Sequence, residues 1–143
     1  MQTINEVQQE IIEEFSIYDD WMDKYAIIIE QGNALQPLDD KYKIPENIIQ
    51  GCQSRVWLQT DYCDGKLYFQ AESDAIIVKG LLALVLRVFN GRTPDEIISV
   101  DLRFMKEIGL TEHLSPTRSN GLLSVIKQIR YYAIAYKAKA EKN

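Results

Sequence analysis

Histidine, cysteine and long apolar runs are all scarce in this chain of 143 residues. A single histidine, His113, leaves no imidazole pair for catalysis and no His-rich metal site. Two cysteines, Cys52 and Cys63, raise the count of nitrogen and sulfur ligands to three, short of the usual structural zinc set, and no CxxC or HxxxH spacing occurs. Two thiols do not make a disulfide-dense secreted scaffold, although one bridge between them stays open on sequence alone. GxGxxG, GxxxxGKS and GxSxG are all absent, so no phosphate loop or nucleophile elbow is signalled. The most apolar stretch, Ala75 to Val88, is interrupted by Lys79 and Arg87 and is too short to span a bilayer. The opening MQTINEVQQEIIEEF lacks the basic and apolar segments of a signal peptide, so a reducing, cytoplasmic location is expected. With 7 Gly, 4 Pro and no period, low complexity is excluded. A net charge of −5 gives no general electrostatic claim on nucleic acid or on an anionic membrane surface, and neither partner is expected.

What is present is ordinary globular material. Apolar residues make up 46% and charged residues 26%, and the length suits one domain over residues 1–143. Ile4, Val7, Ile11 and Phe15 recur at helical spacing. Asp19 or Asp20 caps a second predicted helix through WMDKYAIIIEQG, which Gly32 ends, with Trp21, Tyr25, Ile28 and Ile29 as its apolar stripe. Residues 33–54, with Pro37, Pro45 and no period, read as a long ordered loop of the kind that carries function. RVWLQTDY and KLYFQAE, joined at Cys63-Asp64-Gly65, are a hairpin signal. SDAIIVKGLLALVLRVFNG reads as a buried helix capped by Ser73 or Asp74 and stopped by Gly91, with Gly80 inside it as a point of close packing. Thr93-Pro94-Asp95-Glu96 is a capping box opening a short helix. A second short helix spans 101–108, and Ser115-Pro116 opens a last one lined by Leu122, Val125, Ile126, Ile129, Ala133 and Tyr136. Helices, hairpin, helices is an α+β order: a small antiparallel sheet covered by helices. Charge is uneven. Residues 1–40 hold ten acidic side chains against Lys24, and residues 117–143 hold six basic ones against Glu141. Two solvated helix faces packed near each other explain this, as does one end steering a charged partner.

Three residues bear on chemistry. Cys52, between a Pro-containing loop and a strand, follows Gly51, whose backbone freedom suits a thiol that moves between sheltered and presented positions. Arg55 nearby in sequence, and Arg118 if brought near in space, would favour its thiolate, while an inert buried thiol is the competing reading. Cys63, at the hairpin turn beside Asp64, reads as an incidental surface thiol or as a resolving partner for Cys52. His113, just before the last helix, shapes the approach to that helix or handles a proton beside the thiol.

NIIQGCQSRVW (47–57) resembles the signature segment of the SufE family of sulfur-acceptor proteins in iron–sulfur cluster assembly. SDAIIVKGLLALV (73–85) and LTEHLSPTRSNGL (110–122) are similar to its two other recurrent blocks, in order, and the likeness spans roughly residues 18 to 136. The resemblance implies the fold of the NifU/IscU scaffolds, a small antiparallel sheet with helices packed on it. It also implies that Cys52 takes persulfide sulfur from a PLP-dependent cysteine desulfurase of the SufS type, stimulates that enzyme, and delivers the sulfur to an Fe–S cluster scaffold. Asp74 and Arg118 match family positions near the loop or the partner surface, and Cys63 matches none. No cofactor is implied in this chain, because the pyridoxal phosphate belongs to the desulfurase. The several cysteines of a scaffold are lacking, so the likeness is to a carrier, a sulfurtransferase partner with no reaction of its own. A thiol-based redox-sensing or adaptor module that binds through its helical surface is the alternative.

Overall fold

The computed structural model describes residues 2–52 and 54–141. Gln53 of the Cys52 segment and Lys142 of the basic tail lie outside them. The architecture is α+β, as the element order predicts: seven helices around one two-stranded antiparallel sheet among the described residues.

The first helix, α1 (Ile4–Ser16), starts on a capping box in which Thr3 Oγ1 accepts from Glu6 N–H at 3.1 Å and the Glu6 carboxylate accepts from Thr3 N–H at 3.0 Å. Its predicted stripe of Ile4, Val7, Ile11 and Phe15 is buried. Asp20 caps α2 (Trp21–Asn33) through Met22 N–H. Gly32 does not end this helix. It lies inside the last turn, facing Gly80 of α3 (Ile76–Phe89), and a Cβ there would stand 2.8 Å from the Gly80 nitrogen. A Cβ on Gly80 would in turn run into the Ile28 carbonyl. The two glycines let the backbones of α2 and α3 approach closely, so Gly32 is a packing residue and not a stop signal.

Helix α3 is the central element, with nine of its fourteen residues buried. It begins later than the sequence suggests, at Ile76 after Ala75, with no side-chain cap. Ser73 remains in a strand and accepts from Ala75 N–H at 3.2 Å, while Asp74 turns its carboxylate back to Arg55. Against α3 packs the hairpin of β1 (Val56–Cys63) and β2 (Lys66–Ser73), in register from Val56 with Ser73 to Cys63 with Lys66. Asp64 and Gly65 turn it with φ of 52° and 80°, the two positive values a two-residue turn of this hand requires. Val56, Leu58, Leu67, Phe69 and Ala71 are buried on its inner face.

The 33–54 segment crosses the outer side of the hairpin in two short 3-10 turns, Asp40–Tyr42 and Pro45–Asn47. Lys43 pairs with Glu72 of β2 at 2.7 Å, and the Asn47 amide donates to Gln59 of β1 at 2.9 Å. After α4 (Pro94–Ser99), opened by the expected Thr93–Glu96 box, comes α5 (Phe104–Glu107). It is much shorter than the predicted 101–108 because the buried Gln8 side chain intercepts its start, accepting from Arg103 and Phe104 N–H at 2.9 and 3.2 Å. One more short helix, α6 (Leu110–His113), leads to α7 (Pro116–Glu141), whose predicted face of Leu122, Val125, Ile126, Ile129 and Ala133 is buried. No helix among the described residues is long and apolar enough to cross a membrane. Among the described residues the acidic and basic ends of the chain do not pair. Glu10 and Glu14 turn to Arg87 of α3, and Lys137 turns to Asp95.

The glycine contact between α2 and α3 predicts that Gly80→Ala destabilises the fold by about 3 kcal/mol, the upper range for overpacking against backbone that cannot yield. Urea unfolding with an unchanged slope measures it.

Candidate functional site

The chain reaches Cys52 by a short excursion with both feet tied to the hairpin. On the incoming side Ile49 N–H donates to the Val56 carbonyl at 2.9 Å, and Ile48 bridges to Trp57. On the outgoing side Arg55 N–H donates to the Asp74 carboxylate at 3.1 Å, and Asp74 N–H returns to the Arg55 carbonyl at 3.4 Å. Asp74 therefore braces the loop's exit with its side chain and backbone together. Between these feet stands Gly51 at φ +92°, a conformation that costs an L side chain about 1–2 kcal/mol. A Cβ there would also meet the Ser124 hydroxyl of α7 at 2.8 Å.

The tip leans on α7. Cys52 Sγ–H donates a long, weak hydrogen bond to the Gly121 carbonyl at 3.5 Å. A Cβ on Gly121 would lie only 3.3 Å from the sulfur, so this glycine makes the seat for the thiol. A helix-interior glycine in RSNGLL is the only sequence signal for such a seat, and sequence reasoning alone misses it. The half-buried thiol borders a cleft of about 450 Å³ between the loop, α3 and the start of α7. Val78, Leu81 and Val125 supply its apolar floor, and Ser54, Ser115, Thr117 and Arg118 its polar rim. Arg118 is thus brought to the thiol's cleft, as proximity in space required.

The other candidates fall elsewhere. Arg55 is next to the loop, but its guanidinium lies over the Trp57 ring at 5.8 Å. His113 does not line the cleft. Its ring stacks on Trp21 of α2, with centroids 4.0 Å apart, which makes it a packing residue between α6 and α2. Cys63 sits exposed at the far end of β1. Two molecular rulers set the separation of the thiols. β1 advances about 24 Å over its seven steps. Along α7, Gly121 touches Cys52 while Tyr136 stacks on Tyr62 at 5.0 Å, and those fifteen residues span about 22 Å of helix. A bridge requires Cα atoms within about 7 Å, so Cys63 does not resolve Cys52 within one folded chain.

Burial pushes the Cys52 thiol above its ordinary pKa. The expected lowering by an arginine does not appear in this sheltered position, so the resting group is the neutral thiol. This arrangement holds the thiol half-buried and disfavours its charge where it sits.

A family model described as the SufE, Fe-S metabolism associated domain matches residues 9–133. The chain belongs to the SufE family. Its fold is also similar to a solution structure of a hypothetical protein from Thermus thermophilus. The two superpose with a TM-score of 0.74 at 18% identity, over 90% of this chain and 94% of that one. The family links this SufE-type chain to Fe–S metabolism.

The shifted thiol predicts a pH profile. The rate of Cys52 alkylation should rise with a midpoint above that of an unstructured cysteine. Folding favours the neutral thiol, so its contribution to stability is present below the unfolded-state pKa and fades as pH climbs through the higher folded-state value. Alkylation rates followed peptide by peptide check this, and a midpoint at or below the free-cysteine value would contradict it.

Proposed function

We propose that the protein is a sulfur carrier that accepts persulfide sulfur on Cys52 from a PLP-dependent cysteine desulfurase and delivers it for iron–sulfur cluster assembly. The observation that carries the reading is the position of Cys52: the tip of a short loop, over a cleft with an opening, with both loop feet anchored. An inert structural cysteine belongs in the stripe of a helix or strand, where it has no exit.

The chemistry is an exchange of one sulfur–sulfur bond for another. Cys52 loses its proton to solvent or to a base of the partner. Its thiolate attacks the outer sulfur of the desulfurase persulfide, a new bond forms at Cys52 Sγ, and the old bond breaks with its electron pair on the departing desulfurase thiolate. The transferred sulfur keeps its oxidation level, so no redox partner is consumed. Since the bonds made and broken are alike, access decides direction. The swing of the loop tip supplies that access, and the cleft then shelters the product from further oxidation. By drawing off the desulfurase persulfide, this step frees the enzyme for another turnover and so stimulates it. The same exchange in the opposite sense passes sulfur to a cluster scaffold. A reducing cytoplasmic setting belongs to this reading, because it keeps Cys52 available.

In this role the chain has no catalytic cycle of its own. Gly51 gives the tip its turn, Asp74 holds the outgoing foot, and Arg118 lines the same cleft as the sulfur. The redox-sensor alternative is weakened by the distance between the thiols, which removes the intramolecular disulfide such a sensor would form.

Cys52→Ser is expected to abolish transfer of labelled sulfur from a cysteine desulfurase supplied with L-cysteine. Cys63→Ser should leave transfer within about twofold of normal, since an exposed surface change away from the site perturbs little. Intact-mass spectrometry reads the result as a gain of one or more sulfur atoms. Label that persists in Cys52→Ser would remove the assignment.

A further inference from the structure

The cleft beside Cys52 is far larger than a persulfide needs. One added sulfur takes up about the room of a water molecule, roughly 30 Å³, against a cleft of about 450 Å³. That volume falls in the range of small-molecule sites, about 300–1,000 Å³. Its lining is also that of a ligand site: an apolar floor from α3 and α7, and a rim of two serines, a threonine and an arginine.

Arg118 gives the cleft its polarity. Arg87, Arg92 and Arg103 each meet a carboxylate within the chain. Among the described residues Arg55, Arg118 and Arg130 form no such pair; Arg55 lies over the Trp57 ring and Arg130 donates to the Val100 carbonyl, and of the three Arg118 lines this cleft. Its backbone N–H is held by the Ser115 hydroxyl at 3.3 Å, which fixes its root at the start of α7. Arg118 lines the same cleft as Cys52, and a guanidinium suits a two-pronged contact with a carboxylate.

We propose that this cleft binds a low-molecular-weight thiol carrying a carboxylate, with the carboxylate on Arg118, the carbon chain on the apolar floor and the sulfur at Cys52. The inference rests on the sulfur-transfer reading for its purpose and adds a small acceptor to it. In the step, the small thiolate attacks the outer sulfur of the Cys52 persulfide. The bond between that sulfur and Cys52 Sγ breaks, its electron pair stays on Cys52, and the small molecule leaves as a persulfide. Nothing is oxidised or reduced overall. The chain thereby gains a route for unloading sulfur that needs no protein recipient.

Iodoacetate and iodoacetamide test the site without any sulfur loading. Both alkylate a thiolate with loss of iodide, and they differ in the carboxylate. The ratio of their rates at Cys52 cancels the fraction of thiolate and the opening of the loop. In Arg118→Gln this ratio should fall about fivefold, the scale of one partly exposed charge-assisted contact, while the ratio at Cys63 in the same sample stays constant. Arg118 is exposed, so the variant should retain its fold, which a thermal melt confirms. A second arm charges Cys52 with inorganic polysulfide and follows discharge by 3-mercaptopropionate and by 2-mercaptoethanol. The preference for the carboxylate thiol should likewise fall in Arg118→Gln. An alkylation ratio at Cys52 that does not move overturns the carboxylate site, and equal discharge preference in both proteins overturns the small-thiol acceptor. These outcomes separate from failure of the parent reading. If a desulfurase loads Cys52 but the ratios stay flat, sulfur carriage stands without this site. If the ratios respond but no desulfurase loads Cys52, the carriage reading falls and the cleft remains a carboxylate site.

Discussion

The behaviour of the site depends on an imbalance of restraints within one short loop. Its two feet are held by backbone bonds to β1 and by the Asp74 carboxylate, at 2.9 and 3.1 Å. At its tip, among the described residues, Cys52 packs half-buried against the core and makes one long hydrogen bond, from its sulfur to a helix carbonyl at 3.5 Å. An S–H donor is a weak one, worth well below about 1 kcal/mol, so this hydrogen bond restrains the sulfur less than the backbone bonds restrain the feet. The local opening that the sulfur-carrier proposal calls for would leave the hairpin and α3 intact.

Shelter and reactivity oppose each other at Cys52. The surroundings that hide the sulfur from oxidants also disfavour its charge, and burial lifts the thiol's pKa. A permanently ionised cysteine on this surface would be reactive toward every electrophile. Under the sulfur-carrier proposal, a neutral thiol that ionises on leaving its seat would be reactive only where a partner receives it. Arg118 lies at the boundary of these two states, exposed on the rim of the cleft. Its charge is available to an incoming anion more than to the seated thiol.

Much of this organisation is legible in the sequence. The stripe of α1, the Asp64-Gly65 turn and the Thr93–Glu96 box are local patterns, and local patterns survive into the fold. Gly80 announces close packing because a glycine inside an apolar helix has few other reasons to be there. The misreadings all come from contacts between distant parts of the chain. Gly32 looks like a terminator until Gly80 is opposite it. Ser73 and Asp74 look like caps, but strand pairing keeps one and the loop's outgoing foot takes the other. The 101–108 helix is cut short by Gln8, about ninety residues earlier in the chain. At the site, Cys52 and Gly51 are visible from composition and spacing, and Arg118 through likeness to a family. Gly121 is not, because its importance lies in the sulfur it faces. His113 belongs to Trp21 for the same kind of reason.

Helix α7 has 26 residues and is about 39 Å long. It touches the start of the hairpin region through Gly121 and the turn end through Tyr136. A continuous helix resists compression along its axis, so it cannot slip at one of these points and stay fixed at the other. The Tyr136 contact and the sulfur's seat at Gly121 are therefore spaced by one rigid ruler, about 22 Å by the same helical rise.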